Sequence, residues 1–229
     1  MMRKEITAMS VGIILLVSSA ADFAQSAGEI RYVSLGDSYT IGTGASAKRT
    51  WPILLAEHLR FKGFNIRLVA NPAHNGFTTR NVMIHELPIL RRARPNFVTL
   101  MIGVNDYVQG VSEEQFRSDF KQLVDAVLKA LGDKGKLLVV NIPDFSFTPG
   151  AKGLFPDDRD IAGGITQFNQ VIYEESSARG LDVVNIFPVS QAMKKDASLI
   201  APDGLHPSAK GYLLFEQAIF PKAKILLEQ

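Results

Sequence analysis

Four short stretches of this chain hold residues able to do chemistry together. Gly36-Asp37-Ser38-Tyr39 offers a hydroxyl. Asn75-Gly76 and Gly103-Val104-Asn105-Asp106 offer glycine backbone and a side-chain amide. Asp203-Gly204-Leu205-His206-Pro207 offers a carboxylate three residues before an imidazole. A serine hydroxyl is a poor nucleophile until a base takes its proton. Histidine titrates nearest to neutrality and is the usual base. A carboxylate on the second ring nitrogen fixes the tautomer and steadies the imidazolium. Asp203 reaches His206 if the segment turns. Gly204 makes the turn cheap, and Pro207 stops it from running on as helix. Acyl transfer also builds an oxyanion, which needs donors aimed at it. The backbone N–H groups of Ser38 and Gly76 and the Asn105 side chain offer three. The expectation is a Ser38, His206 and Asp203 triad, with Ser38, Gly76 and Asn105 around the oxyanion.

The elements between these stretches decide whether they meet. Ile30–Leu35 reads as a short buried strand ending at Gly36. Residues 51–63 follow as a helix, with Pro52 in the first turn and Gly63 at the stop. Residues 64–70 form a second strand, and 78–94 a helix bent or interrupted at Pro88. Residues 97–103 are a third strand, nearly all apolar, as expected when both sheet faces are covered. The helix over 112–132 carries a capping-box pattern in Ser112 and Gln115 and an apolar stripe from Phe116 to Leu131. A strand at 136–142, a helix at 165–180, a strand at 181–187 and a C-terminal helix kinked near Pro221 complete the walk. This alternation predicts βαβ crossovers, a five-stranded parallel sheet and a three-layer α/β/α sandwich. In such sheets ligands bind beyond the carboxyl ends of the strands, where the four stretches fall.

The totals suit one domain over 28–229. Of 229 residues, 46% are hydrophobic and 21% charged. A net charge of +2 without a long basic run argues against a nucleic-acid partner. Arg91, Arg92 and Arg94 are expected to face the negative end of a helix dipole. Residues 1–27 show the charge, apolar run and small-residue order of a secretory signal peptide, with Ala20, Ala21, Ala24 and Ala27 as candidate cleavage sites. The run is too short to span a bilayer, which takes about 20 apolar residues. Export, and no stable membrane insertion of the mature chain, are the expectations. There is no cysteine, so neither a disulfide nor a lipid-modified cysteine is available.

The four stretches, GDSYT, NGFTT, GVND and DGLHP, occur in the order found in the SGNH, or GDSL-type, serine hydrolases, which this sequence resembles. Tyr39 stands where the family nickname has leucine. The resemblance runs from Gly36 to Pro207. It implies a flavodoxin-like sandwich, no cofactor, and ester hydrolysis through an acyl-enzyme. It also implies Ser38 as nucleophile, Asp203 and His206 as its triad partners, and Gly76 and Asn105 in the oxyanion hole. Substrates across that family include small esters, acetylated glycans, lysophospholipids and thioesters.

Two other classes compete for the same residues. Gly42–Ala47 fits a loose G-x-G-x-x-A pattern and raises a nucleotide- or phosphate-binding module. Such a fingerprint sits directly between strand and helix, whereas six residues separate Leu35 from Gly42. A metal-dependent hydrolase would gather Asp37, His74, Asp106, Asp203 and His206, yet H-E-x-x-H and cysteine are both absent. No metal is expected. His58 and His85 read as structural, His74 as a residue near the pocket rim, and Asp37 and Asp106 as loop braces. The apolar loop over 143–158 is either part of an acyl or alcohol pocket or a loop that tucks its aromatics onto the sandwich.

Overall fold

Five strands form, and all run parallel in the order β2-β1-β3-β4-β5. They are β1 (Ile30–Gly36), β2 (Ile66–Ala70), β3 (Phe97–Met101), β4 (Lys136–Val140) and β5 (Val183–Val184). The computed structural model describes residues 28–155 and 159–229. The expected signal peptide at 1–27 lies outside the described residues. The strand order is that of doubly wound flavodoxin-like sheets, with the switch point between β1 and β3. Thr99 in β3 is buried, and its hydroxyl bonds Ser34 (2.9 Å) and Tyr32 (2.8 Å) on the neighbouring strand β1.

Helices cover both faces. Helix α1 (Ser38–Ile41) follows β1 at once, and α2 (Trp51–Phe61) returns the chain to β2. Between β2 and β3 lie α3 (Thr79–Asn81), a π-helical turn (Val82–Glu86) and α4 (Leu87–Ala93). The interruption expected at Pro88 therefore falls just before it. The wide turn absorbs the carbonyl clash of a mid-helix proline and leaves Pro88 in the first turn of α4, where its missing N–H costs nothing. Helices α5 (Val104–Val108) and α6 (Glu113–Leu131) lead from β3 to β4. Only half of the expected capping box forms: Ser112 accepts from Gln115 N–H, while the Gln115 amide turns to Asp119.

Beyond β4 come α7 (Pro149–Leu154) and α8 (Ile161–Ser177). Helix α8 starts four residues before Ile165, because Asp160 caps it through Gly163 N–H (2.8 Å). Strand β5 is shorter than its apolar run. After Val184 the Asn141 side chain replaces the ladder, accepting from Ile186 N–H (2.8 Å) and donating to Asn185 (2.8 Å). Helix α9 (Phe187–Ala192) follows, and α10 (Ala209–Glu228) runs through Pro221 without ending there.

Asn169 of α8 clamps the exit from β4. Its amide accepts from Ile142 N–H (2.8 Å) and donates to Ile142 C=O (2.9 Å) in a buried setting. Asn169→Ala leaves both backbone groups buried and unpaired, at about 1–3 kcal/mol each. Urea unfolding is expected to show a loss of about 2–4 kcal/mol.

Candidate active site

The nucleophile stretch is set by backbone geometry. Gly36 ends β1, and its N–H donates to Glu86 Oε2 (3.1 Å). Asp37 caps α1 through Tyr39 N–H (2.9 Å), which leaves Ser38 as the first helical residue. Trp51 Nε1 donates to Tyr39 C=O (3.0 Å), and Asn71 Nδ2 to Thr40 C=O (3.0 Å), so neighbouring elements hold this turn from behind.

The Asp–His stretch makes the expected turn. Gly204 takes φ +73°, and its N–H donates to Ala201 C=O (2.9 Å). Asp203 Oδ1 accepts from Leu205 N–H (2.9 Å) and His206 N–H (3.0 Å), and Oδ2 pairs with His206 Nδ1 (2.8 Å). Partial burial raises the Asp203 pKa, but those three bonds outweigh it and the net shift is downward. An ionised Asp203 can only accept, so Nδ1 carries the proton and Nε2 is left as a base.

Packing accounts for Gly42 and Gly44: a Cβ on Gly42 would lie 2.1 Å from Thr50 Cγ2. A Cβ on Gly44 would lie 2.7 Å from both the Ala201 Cβ and the Pro207 carbonyl oxygen. It would also sit 3.2 Å from the His206 Cβ. The glycine run lets the loop after Ser38 pack directly on the His206 segment. Tyr212 Oη ties the same loop to α10 through Thr43 C=O (2.8 Å).

Ser38, Gly76, Asn105 and His206 all line one cleft of about 160 Å³, with Asp203 behind His206. Its apolar wall comes from Tyr39, Val104, Val108, Phe145, Leu154 and Leu205. Among the described residues, the N–H groups of Ser38 and Gly76 have no acceptor and His206 Nε2 has no partner. No hydrogen bond joins Ser38 Oγ to His206. Asn105 differs from the expected free donor: its Nδ2 faces Phe77 C=O (3.0 Å) and, at the limit of bonding, Asp37 Oδ2 (3.4 Å).

The other histidines take structural places. His58 bonds Glu216 (2.9 Å) and stacks on Phe220. His74 and His85 both stack on Phe77, and neither lines the cleft. No set of three His, Asp or Glu side chains able to hold a metal forms among the described residues. From the 143–158 loop, Phe145 and Leu154 reach the cleft, while Phe155 is buried against Tyr107.

Sequence reasoning missed Glu86. Three buried carboxylates lie below the Ser38 turn. Burial pushes Glu86 up to about 8, with the Asp37 charge adding and the Gly36 N–H opposing. Burial raises Asp37 to about 7, with Asp106 adding and the Tyr39 N–H opposing. Burial raises Asp106 to about 6, against the Thr79 N–H that both its oxygens accept. The signal for Glu86 was its phase: Val82, Glu86 and Leu90 share one helical face, and all three are buried.

The sequence pattern of the GDSL-like Lipase/Acylhydrolase family matches residues 34–214. The chain belongs to this family. A multidomain esterase of Ruminococcus flavefaciens is 24% identical over 243 residues, covering 90% of this chain and 30% of that protein. The thioesterase 1/protease 1/lysophospholipase L1 of Escherichia coli K12 is 28% identical over 109 residues, 48% of this chain and 50% of that protein. The chain thus spans half or less of the length of these curated relatives. A crystal structure of TesA superposes with a TM-score of 0.69 at 20% identity, covering 86% of this chain and 99% of that one, which shows the shared fold.

Native Glu86 keeps its proton to about pH 8, whereas an unfolded glutamate releases it near pH 4.3. Between those values the folded state binds more protons, so its stability falls as pH rises. Glu86→Gln removes this term. Its melting temperature, measured against pH, is expected to gain on the parent's from pH 5 to pH 8.

Proposed function

We propose that this protein is an exported serine esterase that cleaves carboxylic esters through an acyl-enzyme. The observation that carries the reading is the Asp203–His206 pair at 2.8 Å, with its second ring nitrogen unclaimed on the cleft that holds Ser38. Family membership supports the same chemistry. Ser38 Oγ attacks the ester carbonyl as His206 Nε2 takes its proton. The carbonyl oxygen becomes an oxyanion facing the Ser38 and Gly76 N–H groups and the Asn105 amide. Collapse of this intermediate breaks the bond to the alcohol, which leaves with the proton from His206. Water then repeats the sequence on the acyl-enzyme and frees the acid. Asp203 holds the ring and balances the charge of its protonated form. The step asks Asn105 to give up only its long contact with Asp37, while the bond to Phe77 stays and fixes the amide.

The alcohol side is open, and the family's glycan, lysophospholipid and thioester substrates all suit this machinery. The apolar wall of Val104, Val108, Phe145 and Leu154 favours an acyl chain longer than acetyl. We assign residues 1–27 to export and 28–229 to a single catalytic domain. No helix among the described residues is long and apolar enough to cross a membrane.

Ser38→Ala is expected to abolish ester turnover with an unchanged melting curve; turnover above background would remove Ser38 from the role. Asn105→Ala is expected to lower kcat by about 10²–10³ while KM changes little, because the oxyanion exists only in the transition state. Leu154→Ala should lower kcat/KM for p-nitrophenyl octanoate more than for the acetate. An equal loss on both would place the acyl chain elsewhere.

A further inference from the structure

Arg91 and Arg92 stand in the last turn of α4, as the helix-dipole reading expects, and Arg94 caps it. Arg31, at the start of β1, sends its guanidinium to the C-terminal carbonyls of α4. Nη2 donates to Ala93 C=O (2.6 Å), and Nε lies 3.2 Å from the carbonyls of both Ala93 and Arg94. Among the described residues, the guanidinium groups of Arg91, Arg92 and Arg94 pair with nothing. All three residues are exposed, and with Arg31 they line an open hollow of about 770 Å³. The nearby carboxylate of Glu29 is already shared by Arg31 and Arg67. Like charges held together without counter-charge repel, and an external anion relieves them.

A second feature lies at the same end of the sandwich. Phe61 closes α2 and is 82% exposed, with the Lys62 ammonium 5.4 Å from its ring centroid. The chain then passes through Asn65, whose carbonyl receives Ile30 N–H (2.7 Å), into β2, where Arg67 registers against Arg31. Phe61, Lys62 and the arginine hollow therefore share the end where the strands begin. Free phosphate has no use for an exposed aromatic ring. A bilayer has, because its charge lies outside and its hydrocarbon inside.

We propose that the strand-start end of the sandwich docks on an anionic phospholipid bilayer, through Arg31, Arg91, Arg92 and Arg94 on the headgroups and Phe61 in the interface. Docking in this way turns the cleft, at the opposite end of β1, away from the bilayer. Substrate then arrives from the aqueous side rather than from the lipid that holds the protein.

The test is flotation of the full chain with vesicles of phosphatidylglycerol and phosphatidylcholine in equal parts, beside phosphatidylcholine alone. The parent and an Arg91→Gln, Arg92→Gln, Arg94→Gln variant are compared at low and high salt. The variant is expected to partition about a hundredfold less onto anionic vesicles, with equal binding of both to neutral ones. High salt should erase the difference. Arg94→Gly separates binding from folding. Arg94 takes φ +45°, which glycine adopts more cheaply, so this variant should melt no lower than the parent and still bind anionic vesicles less. Parent and triple variant binding anionic vesicles equally would overturn the proposal. So would full retention by Arg94→Gly, or displacement from vesicles by inorganic phosphate or an oligonucleotide at matched ionic strength.

Discussion

All five strands point one way, and the parallel ladder fixes where each chain segment leaves the sheet. Gly36 pairs with Met101 at the ends of β1 and β3, so the turns bearing Ser38 and Asn105 emerge side by side at the switch point. No local feature of either loop could bring them together. The same constraint sends every crossover helix back to the opposite end. That end therefore collects helix C-termini and the cations near them, while the cleft end collects the turns that do chemistry. The two ends of the molecule differ in character because the sheet has a direction.

Packing around the cleft is built on absences of side chain as much as on contacts. Gly44 has no Cβ, which lets one loop lie against the segment that carries Asp203 and His206. The pair itself lies within four consecutive residues and needs little from the fold beyond that seat. Ser38 is held differently, by the Asp37 cap and by Glu86 on the Gly36 N–H. Three carboxylates are thus buried under a site whose proposed transition state is itself negative. Their raised pKa values follow from burial and from one another. Glu86, pushed highest, stays mostly protonated at neutral pH and so adds little negative charge beneath the oxyanion.

Much of this was legible in the sequence. The five parallel strands between helical layers, the turn at Gly204 and the meeting of Ser38, Gly76, Asn105 and His206 at one cleft follow from apolar runs, turn residues and their places at strand ends. What escaped had a common cause: side chains that act across long sequence separations. Nothing local marks Asn141 as the replacement for a β5 ladder, Arg31 as the partner of the α4 carbonyls, or Phe77 C=O as the acceptor that holds the Asn105 amide. Glu86 stood in a visible apolar phase, but a charged residue there reads as surface until a buried donor such as Gly36 N–H is known.

Trp51 gives this architecture a built-in reporter. It is the chain's single tryptophan, fully buried, and its indole N–H is bonded to the carbonyl of the residue that follows Ser38. Indole emission, excited where the five tyrosines do not absorb, therefore comes from one residue attached to the turn that bears the serine. Any rearrangement of that turn changes the polarity and hydrogen bonding felt by a single indole, so the loop's motion is optically addressable without a label.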